Sequence, residues 1–368
     1  MSAGLYFHIP FCARKCDYCD FYSFSPAPEQ MDAYCDALCR SIDRYAAQAT
    51  GPFDTVYFGG GTPSFFGGSR IGAVLNKARA AFSIAPDAEI TVECNPASVT
   101  QALCETLARA GVNRVSMGLQ STVAGERFAL GRQSHPQQAA RALRWLRSAG
   151  IENLSLDLML GIPGQTPQSM QESLQFVRDS GVPHVSAYLL SVEESTPLFE
   201  KKDTLSFPDE DSVCALYLQT AEALDEAGLL QYEISNFAVP GLESRHNLHY
   251  WRDEEYLGLG PAAHSFFGGR RFFFPRDFEA FLRGDAPVTD GDGGDKAEFC
   301  MLRLRLTAGL SDEAFFERFG EHLPKKMFTA AKELERHGLL TVREDTVALT
   351  KEGFLVSNAI IAALIEDL

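Results

Sequence analysis

Six strand-like runs, separated by stretches of helical period that end in glycine, limit this chain more than any other feature. The runs are LYFHI (5–9), TVYFGG (55–60), EITVEC (89–94), RVSMGLQ (114–120), NLSLDLMLG (153–161) and HVSAYLLS (184–191). Each is rich in the β-branched, aliphatic and aromatic residues that suit a pleated surface. Between them, QALCETLARAG and QQAARALRWLRSAG repeat apolar residues at helical spacing and stop at Gly111 and Gly150, as helices do where a left-handed residue closes them. Such βα alternation builds a parallel sheet covered by helices. Hydrophobic period alone leaves two alternatives, an open doubly wound sheet and an incomplete barrel. Gly59 to Thr62, Glu93 to Asn95, Gln120 and Asp157 fall at or near the C-terminal ends of different strands, where parallel barrels gather their active sites. That placement favours an α/β chain with a partial (β/α)6 TIM-like barrel.

Beyond residue 200 the register changes. A long helical stretch (209–227) and a strand-like QYEISNFAV precede HNLHYW and the glycine-rich LGLGPAAHSFFGG, and DGDGGD at 290–295 reads as a loop or linker. Helical segments from Asp295 lead to a hairpin, LTVREDTVALT, and a final helix. The expected division is a core at 1–235, a connecting segment at 236–294 and a small α+β, winged-helix-like C-terminal domain at 295–368. This last module carries more acidic than basic side chains, so packing on the barrel is expected rather than DNA binding. Over the whole chain 49 acidic residues face 33 basic ones, a net charge of −16. Such a field repels nucleic acid and anionic lipid. Apolar runs long enough to span a bilayer are missing, and the N-terminus begins as a strand rather than a secretory signal, so a cytoplasmic protein is expected.

In the cytoplasm thiols stay reduced, and nine cysteines call for an explanation other than disulfides. Cys12, Cys16 and Cys19 stand in C-x3-C-x2-C spacing directly after the first strand. A four-iron cluster has four corners and is held by thiolates, of which three are supplied here. Zinc is the rival metal, although structural zinc prefers complete tetrahedral sets built from two ligand pairs. Cys35 and Cys39, four apart on an expected helix, read as small buried apolar residues. A cluster loop at the end of the first strand would lie over the open mouth of a barrel.

On this cysteine spacing after the first strand of a partial barrel, the chain resembles the radical S-adenosylmethionine superfamily. The resemblance implies a 4Fe–4S cluster whose fourth iron has no protein ligand and chelates the amino and carboxylate groups of S-adenosylmethionine. Reductive cleavage of that cofactor to a 5′-deoxyadenosyl radical is the chemistry it implies. GGGTP (59–63) is similar to the superfamily loop that receives the methionine amino group. LYFHIPFC, YFGGGTPS, GLQS, LGR and DLMLGIPGQT extend the likeness to the oxygen-independent coproporphyrinogen III oxidase-like branch. That likeness implies cofactor contacts from Tyr6, Tyr18, Gly60, Gly61, Thr62, Glu93, Gln120, Arg132 and Asp157. These residue types are chemically apt, since Glu93 and Asp157 can accept hydrogen bonds from ribose hydroxyls or an amine, and Arg132 can pair with a carboxylate.

Within that branch the oxidases continue their cysteine pattern to C-x3-C-x2-C-x-C, and a longer segment precedes it. Here Phe21 stands where the fourth cysteine would be, and 11 residues precede Cys12. HNLHYW (246–251) instead matches the H-N-x-x-Y-W signature of the branch's haem chaperone subgroup. This implies haem as a bound partner, with His246 as the iron ligand and His249 and His264 as substitutes. It also implies delivery to haem-accepting apoproteins such as membrane respiratory enzymes, which would bring the chain into peripheral contact with a membrane. RRFFFPR (270–276) sets guanidiniums beside aromatics, a combination suited to porphyrin propionates or to an exposed basic turn. The alternatives are the oxidase itself and a zinc-bound structural scaffold.

Overall fold

The computed structural model describes residues 2–49, 51–366 and 368. Strands β1 (Ala3–Ile9), β2 (Phe53–Gly60), β3 (Ile84–Cys94), β4 (Arg114–Gln120), β5 (Asn153–Leu160) and β6 (His184–Leu189) lie side by side in chain order. Every neighbouring pair among them is parallel. Their connecting helices start and stop as the sequence dictates. Thr100 caps Gln101–Ala110 by accepting from the Leu103 amide at 3.2 Å, and Gly111 closes that helix at φ 89°.

Side chains along these strands alternate between two environments. On one face Leu5, Phe7, Val56, Phe58, Val92, Val115, Leu154 and Val185 are fully buried, with Phe7 and Phe58 stacked at 4.9 Å. Tyr6, His8, Tyr57, Glu93, Arg114, Ser116, Asp157 and His184 occupy the alternate positions and face the interior of the barrel. A sheet covered by helices on both faces needs apolar residues at both parities. The polar parity is thus the signature of a partial TIM-like barrel, and it is legible in E-I-T-V-E-C and N-L-S-L-D-L.

Shorter strands extend both edges into a twelve-stranded sheet. QYEISNFAV, expected as one strand, is a tight antiparallel pair, β7 (Leu230–Gln231) and β8 (Asn236–Ala238), laid against β6. On the other edge β9 (Tyr256–Leu259) runs parallel to β1, followed by antiparallel β10 (His264–Phe267), β11 (Arg270–Phe273) and β12 (Val288–Asp292). The stretch 236–294 therefore supplies β8 to β12 to the same sheet. DGDGGD corrects the loop expectation in part, because Gly291 and Asp292 pair with Arg271 and Arg270. Backbone pairing needs no side chain, so glycine and aspartate can take a strand's place at an edge.

The C-terminal residues form helices Lys296–Arg303, Asp312–Phe319 and Lys325–Glu335, then the expected hairpin, β14 (Leu340–Arg343) with β15 (Thr346–Leu349). A short β13 (Leu310–Ser311) adds a third strand to that wing. The module is joined to the barrel edge by backbone bonds, Ile234 N–H to Arg305 O and Thr307 N–H to Tyr232 O, both 3.1 Å. None of the described helices is long and apolar enough to cross a membrane.

Candidate cofactor site

The loop after β1 is pinched shut at its base, which fixes where its cysteines stand. Cys12 N–H donates to Phe24 O at 3.0 Å and Phe24 N–H to Pro10 O at 2.9 Å, so the intervening residues project as one closed loop. Cys12 is buried and its Sγ lies 3.3 Å from Thr62 Oγ1; Cys16 and Cys19 are half-buried. Arg132 Nη1 reaches Cys16 Sγ at 3.8 Å. Burial pushes the Cys16 thiol up against the pull of Arg132, and burial with the neighbouring thiols lifts Cys19 to about 11. A metal would reverse this, since coordination deprotonates a thiol outright. Among the described residues, sets of three or more His, Cys, Asp or Glu side chains placed to hold one ion are absent.

The glycine run is locked to the cluster loop. Gly61 N–H donates to Ile9 O at 2.8 Å and Thr62 N–H to Phe11 O at 2.7 Å. A Cβ on Gly61 would meet Ile9 O and Phe11 O at 2.8 Å, and Gly60 adopts φ 107°. Only glycine allows the end of β2 to lie so close to the first strand. Beneath this ledge, Glu93 accepts from Tyr57 Oη at 2.8 Å and from Gly60 N–H at 3.0 Å. Burial, reinforced by the charge of Asp157, raises Glu93 to about 7. Asp157 is raised by burial too, although Ser116 Oγ donates to it at 2.9 Å and Arg114 and Arg132 favour its charge. Two carboxyls thus share the lumen in an uneasy electrostatic balance that a cationic ligand would relieve.

Three of the expected contacts, Cys16, Thr62 and Arg132, line one cleft of about 300 Å³ together with Arg14, Asn95 and Ser98. Arg132 donates through Nη2 to Gly118 O, but its buried Nε has no partner, nor does Oε1 of buried Gln120. Gln120 itself is held at φ 67°. Unpaired buried groups are costly, and two of them beside the cluster loop fit a site shaped for a polar cofactor. Tyr18 packs instead with Leu130, Met159 and Ile162, and Tyr6 lines a different cavity. Sequence reasoning passed over His8, Tyr57, Arg114 and Ser116, although each sits at the polar parity of its strand.

That second cavity, about 570 Å³, opens between the cluster loop and β9 to β11, with Tyr6, His8, Phe21, Tyr250 and His264 on its walls. A third, about 510 Å³, lies between the barrel and the C-terminal module and includes Tyr188, Tyr250, Trp251 and Arg305. HNLHYW is a helix, Arg245–Trp251, packed over β1 and β2. Within it His246 is 1% exposed, and both ring nitrogens are engaged, Nδ1 with Thr55 Oγ1 at 2.7 Å and Nε2 with Tyr250 Oη at 2.8 Å. The expected iron ligand is thus occupied by wall contacts, and coordination there would break at least one of these bonds. His249 is bound to Asp54 at 2.7 Å and paired with Glu254 at 2.8 Å. Burial opposes its charge, but these carboxylates lift it to about 9, and it is a cation rather than a ligand. The i,i+4 spacing of His246 and Tyr250 was the signal that this helix bonds to itself.

The sequence profile of the radical SAM superfamily matches residues 6–177, and that of the HemN C-terminal domain matches residues 297–356. A protein of Mycobacterium tuberculosis named heme chaperone HemW is 35% identical, over 98% of this chain and 94% of its own. Its namesake in Escherichia coli is 35% identical over 99% and 98% of the two chains, and that of Bacillus subtilis 32% over 99% of each. Among solved structures, the coproporphyrinogen III oxidase HemN of Escherichia coli superposes with a TM-score of 0.84. It covers 100% of this chain and 91% of that one at 21% identity, a likeness of fold alone.

Proposed function

This chain belongs to the HemW family within the radical SAM superfamily, and from that premise we propose that it is a cytoplasmic haem chaperone. It binds haem and passes it to haem-accepting apoproteins such as membrane respiratory enzymes. Cys12, Cys16 and Cys19 hold a 4Fe–4S cluster in this reading, and Gly60, Gly61, Thr62, Glu93, Gln120, Arg132 and Asp157 form the S-adenosylmethionine site, with Tyr6 and Tyr18 set apart from it. The cluster, when bound, supplies an open iron for the cofactor's amino and carboxylate groups and an electron source. Arg132 offers its unpaired Nε–H to a carboxylate, Gln120 its free Oε1 to a donor, and Glu93 and Asp157 favour a positive charge in the lumen. The observation that carries the reading is the match to HemW proteins along nearly the whole chain at about one-third identity.

Phe21, where the oxidase pattern has a cysteine, and the HNLHYW signature favour carriage over oxidation. Haem titration of anaerobically reconstituted protein, followed by the porphyrin absorption band, tests this. Saturation at one haem per chain, with no protoporphyrinogen IX or carbon dioxide formed from coproporphyrinogen III in the presence of S-adenosylmethionine and reductant, is the expected result. Protoporphyrinogen formation would establish the oxidase instead. Zinc without acid-labile sulfide would reduce the cysteine loop to a structural scaffold.

A further inference from the structure

The three histidines that could serve haem iron differ in what already holds them. His246 is buried and bonded at both ring nitrogens, and His249 is buried, bonded through Nε2 to Asp54 and ion-paired through Nδ1 with Glu254. His264, on β10, is exposed, and neither ring nitrogen has a hydrogen-bond partner among the described residues; its imidazole stacks on Phe273 at 5.1 Å. It stands on the wall of the 570 Å³ cavity, a volume in the range of small-molecule and cofactor sites. His8, the other histidine there, is 5% exposed and bonded to Tyr6 Oη at 3.0 Å and Tyr22 O at 2.9 Å. A neutral, unbonded imidazole is what an iron ligand requires, and His264, though exposed, is shielded enough by the cavity wall to be held below its ordinary value.

The remaining walls suit a flat anionic ring. Tyr22, Tyr256 and Phe273 give apolar faces. Phe21 is 65% exposed where it lines this cavity, so its ring is open to contact with a bound ligand. Arg276 lines the same cavity with its side chain 61% exposed, and one of its nitrogens pairs with Asp20 at 3.1 Å. A guanidinium carries five donors, and the rest are free to take a carboxylate. The turn Gly260–Ala263 brings these groups together: Ala263 N–H closes it on Gly260 O at 3.1 Å, with φ of 117° at Gly260 and 65° at Ala262.

We propose that haem docks in this cavity between the cluster loop and the β9 to β11 edge, with His264 as axial iron ligand, Phe21 covering the ring and Arg276 pairing with a propionate. This rests on the chaperone reading, and His246 then stands behind the cavity, bonded to Thr55 and Tyr250. The test is haem titration of wild type and the His264→Ala, His264→Tyr, Arg276→Gln and His246→Ala variants, with cluster absorption and circular dichroism confirming the fold of each. We expect His264→Ala to weaken binding at least tenfold and alter the absorption band, and His264→Tyr to give the spectrum of a phenolate-ligated haem. Arg276→Gln should weaken binding about tenfold without changing the spectrum, and folded His246→Ala should keep the wild-type spectrum. Wild-type affinity and spectrum in both His264 variants would overturn the proposal while leaving the chaperone reading intact, as would loss of ligation in a folded His246→Ala protein. A wild type that binds no haem would overturn the reading itself.

Discussion

The two faces of the barrel strands have the same backbone and opposite chemistry. Along β1, Leu5, Phe7 and Ile9 pack against other apolar side chains, while Tyr6 and His8 point to the lumen and bond to each other. Along β5, Leu154, Leu156 and Leu158 are buried beside Ser155 and Asp157, which bond to His184 and Ser116. Shape holds the outer face and polar satisfaction the inner one. A cavity on the outside costs contacts, whereas a change on the inside leaves a group unpaired or alters its proton. Folding and binding thus fall on alternate residues of a single strand.

Truncating the outer face should have the largest effect. Phe7→Ala, which empties a fully buried site stacked on Phe58, is expected to cost about 3–5 kcal/mol in denaturant unfolding; a loss below about 1 kcal/mol would show the contrast to be overdrawn. On the inner face, Glu93 keeps its proton up to about 7 when folded and releases it near 4.5 when unfolded. Between those values the folded state holds more protons, so its stability falls as pH rises, by up to about 1.4 kcal/mol per pH unit. Glu93→Gln should remove its part of that slope and leave the shares due to Glu233 and Asp253, which burial also raises, to about 7 and about 6. A third variant, Asp157→Asn, keeps the volume and loses the charge. Calorimetry should show S-adenosylmethionine binding about tenfold weaker, roughly 1.4 kcal/mol, with a far smaller change in stability than at Phe7. The smallest expected effect lies in the helical layer, where Thr100→Ala removes one cap and lowers thermal stability by about 1 kcal/mol.

All six barrel strands were legible because each carries enough residues to display its pattern, and helices Gln101–Ala110 and Pro136–Ser148 because Gly111 and Gly150 follow their ends. The polar parity of those strands was equally present, in E-I-T-V-E-C for example. It distinguishes barrel from open sheet once both parities are weighed rather than the apolar one alone. What escaped was short or held from afar. β9 to β12 have four or five residues each, too few for a period, and β9 is fixed by pairing with β1, at the far end of the chain's first 259 residues. The cysteine loop was plain in its spacing. The fate of the histidines was not, because whether a ring faces a cavity or a wall depends on partners such as Thr55, far away in sequence.

Tyr250 borders both large cavities, one beside the cluster loop and one beneath the C-terminal module, and anchors His246 between them. The two chambers therefore share a partition one side chain thick. Phe354 and Leu355 line the second chamber, so the C-terminal module supplies one of its walls. Cutting the chain before Lys296 would strip that wall from the second chamber and bring water to the outer side of Tyr250.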